Sequence, residues 1–391
     1  MRDLAKETYD AYVRIIHAEL IPATGCTEPI AIAYCSARAA RTLGSLPERL
    51  TVMCSGNIVK NVKGVVVPNS GGAKGIDVAA VLGAVGGDPG RGLDVLAAVD
   101  DGHREKARAL LQNRAYCRCG VTEGGDNLDI AVTAEGGGHT ATVKIRGDHT
   151  HIVRIEKDGE ILFAAEEPRQ GEGDDELDRL KERLNVEDIL AFADTVELAL
   201  VSKPLETQIK DNTCIAREGL KNDYGVRVGK ALLKKDGADD LTTRARALAA
   251  AGSDARMSGC PLPVIINSGS GNQGITVSMP VVEYAGGLHA SHEKLLRALI
   301  VSNLIAIHQK RYLGSLSAYC GATCAACGAV CGVAYLYGYG YDAVANIITN
   351  TLATIGGMVC DGAKPSCAAK IASALDAAFM AFDLQREGGV F

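Results

Sequence analysis

Hydrophobic positions along the chain follow two rhythms. Residues 3 to 43 carry the three-to-four spacing of helix, interrupted from Pro22 to Pro29 by the turn-rich Pro-Ala-Thr-Gly-Cys-Thr-Glu-Pro, after which Ile30 to Leu43 resumes as an Ala-rich helix. Leu50 to Cys54 and Gly64 to Val67 are short β-branched runs closed by Ser55-Gly56-Asn57 and Pro68-Asn69-Ser70-Gly71-Gly72, and they read as strands ending in loops. From about Leu128 to Ala165 the period becomes two: Ile130 and Val132, then Thr140, Thr142 and Lys144, then Ile152, Arg154 and Glu156, with Gly-rich and Asp-Gly turns between. That is the signature of an antiparallel sheet. The acidic stretch Glu172 to Glu176 leads into helical spacing from Leu177 to about Gly252, and helices return from Glu293 to the end.

The expected fold is therefore α+β. A largely helical body over 1–47 and 175–391 carries a smaller module with antiparallel strands, 48–174, packed on it or inserted into it. At 391 residues the chain exceeds the usual size of a single core, which agrees with such a division. No internal repeat or low-complexity linker interrupts it.

Composition changes the picture in two ways. With 45 Gly, no Trp and 4% aromatic residues, the core must be built from Ala, Val, Leu and Ile with close backbone approaches. The formal charge of -6 and the lack of any Lys/Arg run exclude a nucleic-acid or anionic-membrane partner and leave a small molecule. The uncharged stretch Tyr312 to Tyr341 is too rich in Gly, Ala, Ser and Cys for a lipid-facing span and reads as a buried helix. Met1 to Leu20 is a charged amphipathic helix with no apolar signal core, so a cytoplasmic location is expected. Small-residue surfaces suit self-association, which makes a homo-oligomer an expectation.

Thirteen cysteines without a secretory route point to metal ligands or catalytic thiols rather than disulfides. Cys320, Cys324, Cys327 and Cys331 fall on one helical stripe, where the plain reading is core packing. Strung along one helix they would span about 16 Å, too far to share one cluster, so one or two at most can be ligands to a given metal. Cys360 and Cys367 flank Asp-Gly-Ala-Lys-Pro-Ser, a loop that lets both thiols converge. Two thiolates from that loop and one from the buried helix would cage an iron–sulfur cluster with one iron unligated by protein, whereas zinc would want a fourth ligand. The pairs His289/His292 and His149/His151 are weaker ligand candidates, since histidines at turns and strand edges are usually solvated. Lys74 lacks the spacing of a phosphate loop.

Cys26 stands at a helix entry, where unpaired N–H groups and the helix dipole favour thiolate. Asn57, Lys60 and Asn61 on one loop, and Ser270, Asn272 and Gln273 on another, have Gly neighbours that let backbone N–H groups approach a substrate carboxylate, with Lys60 supplying positive charge. The alternative is two ordinary tight turns. Glu28 and Asp361 each neighbour a candidate cysteine and either orient it or cap a helix.

Five stretches in order, Gly25-Cys26-Thr27-Glu28-Pro29-Ile30, Ser55-Gly56-Asn57-Ile58-Val59-Lys60-Asn61-Val62, Gly269-Ser270-Gly271-Asn272-Gln273-Gly274, Leu316-Ser317-Ala318-Tyr319-Cys320-Gly321 and Cys360-Asp361-Gly362-Ala363-Lys364, resemble the L-cysteine desulfidase family, which is similar to the catalytic part of iron–sulfur L-serine dehydratases. The resemblance implies a 4Fe-4S cluster on Cys320, Cys360 and Cys367, with Cys26 as catalytic proton acceptor. The implied activity is an oxygen-sensitive α,β-elimination of L-cysteine to hydrogen sulfide, ammonia and pyruvate, with no pyridoxal cofactor. L-serine dehydration with the same cluster, a non-enzymatic iron–sulfur redox sensor and a zinc-stabilised structural protein are the rival readings. Cys324, Cys327 and Cys331 lie outside the family pattern and are the alternative ligands to Cys320.

Overall fold

Local chemistry explains where the first elements start and stop. Ile15 and Ile16 of the first helix are fully buried with Tyr12, while Gly44, in the left-handed conformation, closes the second helix at the point where its Ala-rich pattern ends. The computed structural model describes residues 4–124, 126–165, 175–314 and 316–391. In chain order its first elements are α1 (Lys6–Glu19), β1 (Pro22–Thr24), α2 (Thr27–Leu43), β2 (Arg49–Ser55), α3 (Gly56–Val62), α4 (Ile76–Gly86), α5 (Asp101–Leu111), β3 (Cys117–Thr122), β4 (Asp129–Gly136), β5 (His139–Arg146), β6 (Ile152–Lys157) and β7 (Glu160–Ala164). There follow α6 (Asp175–Lys181), α7 (Val186–Thr195), α8 (Ser202–Lys221), α9 (Val228–Asp236), α10 (Leu241–Met257), β8 (Pro263–Ile265), α11 (Gly271–Gly287), α12 (His292–Leu313), α13 (Ala322–Leu336), α14 (Tyr341–Ile355) and α15 (Ser366–Arg386). Helices dominate, with one mixed sheet and one two-stranded pair, so the fold is α+β. The acidic stretch that begins at Glu172 lies outside the described residues as far as 174.

The chain divides into two units. One comprises Met1–Ala23, Asp174–Cys360 and Pro365–Phe391, and the other Thr24–Gly173 with Asp361–Lys364. The sheet unit is thus an insertion in the sequence of the helical one. Residues 24–47, expected with the helical body, belong to the sheet unit. In the structure α2 packs on the sheet instead, where Cys35 donates its S–H to the Val143 carbonyl at 3.2 Å. The physical reason is the broad Ala and Ile face of α2, which covers the sheet as readily as it would another helix.

In the sheet unit the strand order is β3-β2-β4-β5-β6-β7, with β2 parallel to β3 and every other pairing antiparallel. Val52 of β2 stands opposite Cys119 of β3 and Val132 of β4. Leu50, Val52, Ile130, Val132 and Val143 are buried, as the period-two pattern requires. The helices above approach closely because Gly83 of α4 has no side chain: a Cβ there would meet the Ala33 carbonyl of α2 at 2.3 Å. Gly64 to Val67, expected as a strand, contributes only a single bridge between Val66 and Lys74.

The helical unit is centred on α13, in which every residue from Ala322 to Tyr335 is buried. Its small side chains permit this: a Cβ on Gly328 would meet the Ser302 carbonyl of α12 at 2.5 Å. Leu299, Ile300, Leu304 and Ile305 of α12 are fully enclosed, each burial contributing roughly 1.5–3 kcal/mol. The uncharged stretch from Tyr312 to Tyr341 is accounted for by this central helix. Among the described residues no helix is long and apolar enough to cross a membrane.

Candidate active site

Cys320 lies just ahead of α13 rather than within it, and its backbone is tied to the loop after α14. The Cys320 N–H donates to the Met358 carbonyl at 2.8 Å, the Cys360 N–H donates to the Ala318 carbonyl at 2.7 Å, and Tyr319 and Val359 form an antiparallel bridge between them. This stitching places the Cys320 and Cys360 side chains together, and their thiols hydrogen-bond. Cys367, in the first turn of α15, is close enough to act on Cys320 electrostatically. The hydrogen bond with Cys360, then burial, then the neighbouring Cys360 and Cys367 hold the Cys320 thiol well above the ordinary range. All three sulfurs are half-buried.

A metal group must displace protons from such thiols, and soft thiolates favour iron–sulfur clusters. Among the described residues no three Cys, His, Asp or Glu side chains close on one point as a cage for a single ion. Cys360 and Cys367 both lie within electrostatic reach of Cys320, and thiolates of this kind are ligands for iron–sulfur groups. Cys324, Cys327 and Cys331 point to packing: all three are buried in α13, and burial pushes Cys324 up to about 12.

Beside Cys320 stands the start of α11. Ser270 is its N-cap, accepting from the Gln273 N–H, so Ser270, Asn272 and Gln273 begin a helix and are not a free loop. The Gln273 amide lies flat against Gly321, where a Cβ would meet Cδ at 2.5 Å. Gln273 is 7% exposed and its Oε1 has no hydrogen-bond partner, an orphaned acceptor against the residue that follows Cys320. The buried Arg256 guanidinium reaches Asn272 Oδ1 at 3.4 Å.

The turn before α11 is held from below. Asn267 and Ser270 exchange backbone hydrogen bonds at 3.1 Å around Ser268 and Gly269, both at positive φ, 49° and 73°. Asn267 Nδ2 donates to Asn303 Oδ1 at 3.0 Å, and Asn303 in turn exchanges two hydrogen bonds with Gln208. Asn212 binds both the Ile265 backbone and Ser278. A strained Ser268 persists because this fully buried amide network fixes it. Sequence reading passed over Asn267, Asn303, Gln208 and Asn212, and the signal was available as Ser302-Asn303 inside the apolar run Ile300 to Ile307.

The other candidates belong to the sheet unit. Cys26 is the N-cap residue of α2 and is buried. Asn57, Lys60 and Asn61, expected on a loop, lie on the short helix α3, because Ile58 and Val62 at helical spacing are both drawn into the core. Asn61 donates to Glu28 Oε1 at 3.0 Å, and Asn57 donates to Asn127 Oδ1 at 2.9 Å. Glu28 therefore orients Asn61. The Lys60 carbonyl is overlain by Gly362, whose missing Cβ would stand 2.0 Å from it. Asp361 pairs with Lys364 at 2.5 Å. His292 is hydrogen-bonded to Glu206 and His151 to the Arg146 carbonyl, as side chains at element ends do.

The helical body thus gathers three half-buried cysteines, soft potential ligands, beside a rigid, polar helix start. The family described as serine dehydratase alpha chain matches residues 90–390, and the chain belongs to that family. It is 51% identical to a UPF0597 protein of Lachnoclostridium phytofermentans over 98% of this chain and 90% of the relative. It is 47% identical to one of Desulfitobacterium hafniense, over 98% and 88%. With one of Treponema denticola the identity is 45%, over 99% and 90%.

Proposed function

We propose that the chain is an L-cysteine desulfidase that holds a 4Fe-4S cluster on Cys320, Cys360 and Cys367. The observation that carries this reading is the orphaned, buried Gln273 Oε1 against Gly321, the residue that follows Cys320 in the chain. When bound, the cluster supplies a Lewis acid with one iron unligated by protein, suited to the departing sulfur. The Gln273 acceptor suits the α-ammonium of an amino acid, and the Ser270 to Gln273 helix start with Arg256 behind it suits the α-carboxylate. The roles of Cys26 as proton acceptor and of Asn57, Lys60 and Asn61 as substrate contacts are supported by their motifs. Loss of the Cα proton and of sulfide leaves aminoacrylate, which tautomerises and hydrolyses to pyruvate and ammonia unaided. Such a cluster is at home in the cytoplasm, where thiols stay reduced.

L-serine dehydration is the second reading, favoured by the description of the matching family. The deciding experiment is sulfide and pyruvate release from L-cysteine by anaerobically purified protein, with L-serine in parallel and Cys360→Ala as control. Equal sulfide and pyruvate, lost in the variant and absent from serine, supports the desulfidase. Pyruvate from serine alone makes the chain a dehydratase. Iron and labile sulfide with no turnover of either amino acid removes the enzyme reading and leaves a redox sensor.

A further inference from the structure

Two cysteines that the reaction does not use sit together on the edge of the mixed sheet. Cys117 and Cys119 are two residues apart on β3, so both side chains emerge on one face, and among the described residues β3 is bonded to a neighbouring strand on one side only, by β2. That face is the one α4 covers, since Cys117 and Cys119 share it with Leu50 and Val52 in register and both feel Asp77 in the first turn of α4. The cover stops short: Cys119 is exposed, Cys117 half-buried, and the buried Cys54 lies behind them. The two thiols hydrogen-bond to each other.

We propose that Cys117 and Cys119 form a surface dithiol that exchanges with the disulfides of small thiols, cycling between two thiols and an intrastrand disulfide. The exposed Cys119 thiolate attacks one sulfur of the small disulfide, forming a mixed disulfide and releasing one small thiolate, which takes up a proton. Cys117 then loses its proton and attacks the Cys119 sulfur, forming the Cys117–Cys119 bond and releasing the second small thiol. The protein is oxidised by two electrons and the small disulfide is reduced to two thiols; excess small thiol drives the same steps backwards.

The division of labour follows from the environment. The hydrogen bond from Cys117 draws the Cys119 thiol below its ordinary range, as a nucleophile needs, while that same bond and then burial hold Cys117 far above it. Cα atoms two apart on a strand, and the Cβ atoms they carry on one face, are about 6.6 Å from one another, whereas a disulfide holds its Cβ atoms ~3.5–4.5 Å apart. The bond must therefore pinch the strand, which an edge strand tolerates, and a strained disulfide is readily reduced again. The inference is independent of the reaction proposed above.

Trypsin provides the test, because it cuts after Arg118, between the two cysteines. The anaerobically purified full chain is incubated with bis(2-hydroxyethyl) disulfide at graded ratios to 2-mercaptoethanol, neither of them an amino acid that the proposed reaction would consume, then alkylated and digested. Peptide Ala115–Arg118 and peptide Cys119–Lys144 contain no other cysteine, so they stay joined only through a Cys117–Cys119 disulfide. The joined pair should rise by about tenfold or more from thiol-rich to disulfide-rich mixtures and fall again when thiol is restored. Cys117→Ser should stop at a 2-mercaptoethanol adduct on Cys119. The exposed, solitary Cys214 is the internal reference. Recovery of alkylated Cys117 with an adduct on Cys119 in the unaltered chain, a Cys54–Cys119 link, or an adduct on Cys214 before any joined pair would each overturn the proposal.

Discussion

The Cα of Gly321 and the side chain of Gln273 occupy one another's space: a methyl group on Gly321 would stand 2.5 Å from Gln273 Cδ, 2.6 Å from Oε1 and 2.7 Å from Nε2. Gly321 has φ -63°, so alanine is free of backbone strain there and its effect is purely steric. Gly321→Ala should push the amide out of its seat and lower kcat/KM by about tenfold or more while leaving iron content intact. Iron analysis alongside steady-state kinetics separates this from a folding defect. Unchanged kinetics would remove Gln273 from the site.

Cys360→Ser should lose most of the bound iron and labile sulfide, because a hydroxyl is a poor substitute for a soft thiolate. Cys327→Ala should keep both, at a cost of about 1 kcal/mol or more in stability, since Cys327 is fully enclosed in α13. Iron analysis paired with chemical denaturation checks the contrast. A loss of iron from Cys327→Ala would turn the α13 stripe from core into ligand.

Asn303→Leu should destabilise the fold by roughly 2–4 kcal/mol, because it strands the amides of Gln208 and Asn267 in a dry interior. The turn at Ser268 and Gly269 should loosen with it. Faster amide exchange at the first turn of α11 is the local readout; exchange confined to α12 would deny the connection.

Burial raises the Asp254 carboxyl to about 6 against its ordinary 3.8, although the backbone N–H groups of Gly229, Val228 and Val226 pull the other way. Between those two values the folded chain holds the extra proton and the unfolded chain does not, so stability falls as pH rises from about 4 to 6. Asp254→Asn should leave stability near pH 4 unchanged and raise it at pH 7, by at most ~3 kcal/mol. Denaturation midpoints across that range give the answer, and parallel pH profiles for the two proteins would contradict it.

Much of this arrangement could be read from the sequence where one force acts alone. The period-two strands beyond Leu128 form β4, β5 and β6, because a sheet with one covered face enforces alternation. A buried helix within the Tyr312 to Tyr341 stretch was legible in its Gly and Ala content, and α13 is that helix. What failed were places where tertiary packing outweighed local signals. Ser55-Gly56-Asn57 looks like a turn, yet Ile58 and Val62 close it into α3. Cys320 shares the spacing of the α13 stripe but lies before that helix, because its N–H is taken by Met358, a partner no local pattern reveals. The juxtaposition of Gly321 and Gln273 joins residues 48 positions apart, and neither residue announces the other.

The bridge between Tyr319 and Val359 has a bearing on how such a centre survives. The two loops bearing Cys320 and Cys360 are cross-laced by main-chain bonds, so their mutual position is written in polypeptide rather than in iron. A zinc finger collapses when its ion leaves, since the ion is the fold's only fastening. If the proposed cluster were lost, these main-chain bonds would still hold the two cysteine-bearing loops together, and rebinding would need no round of unfolding.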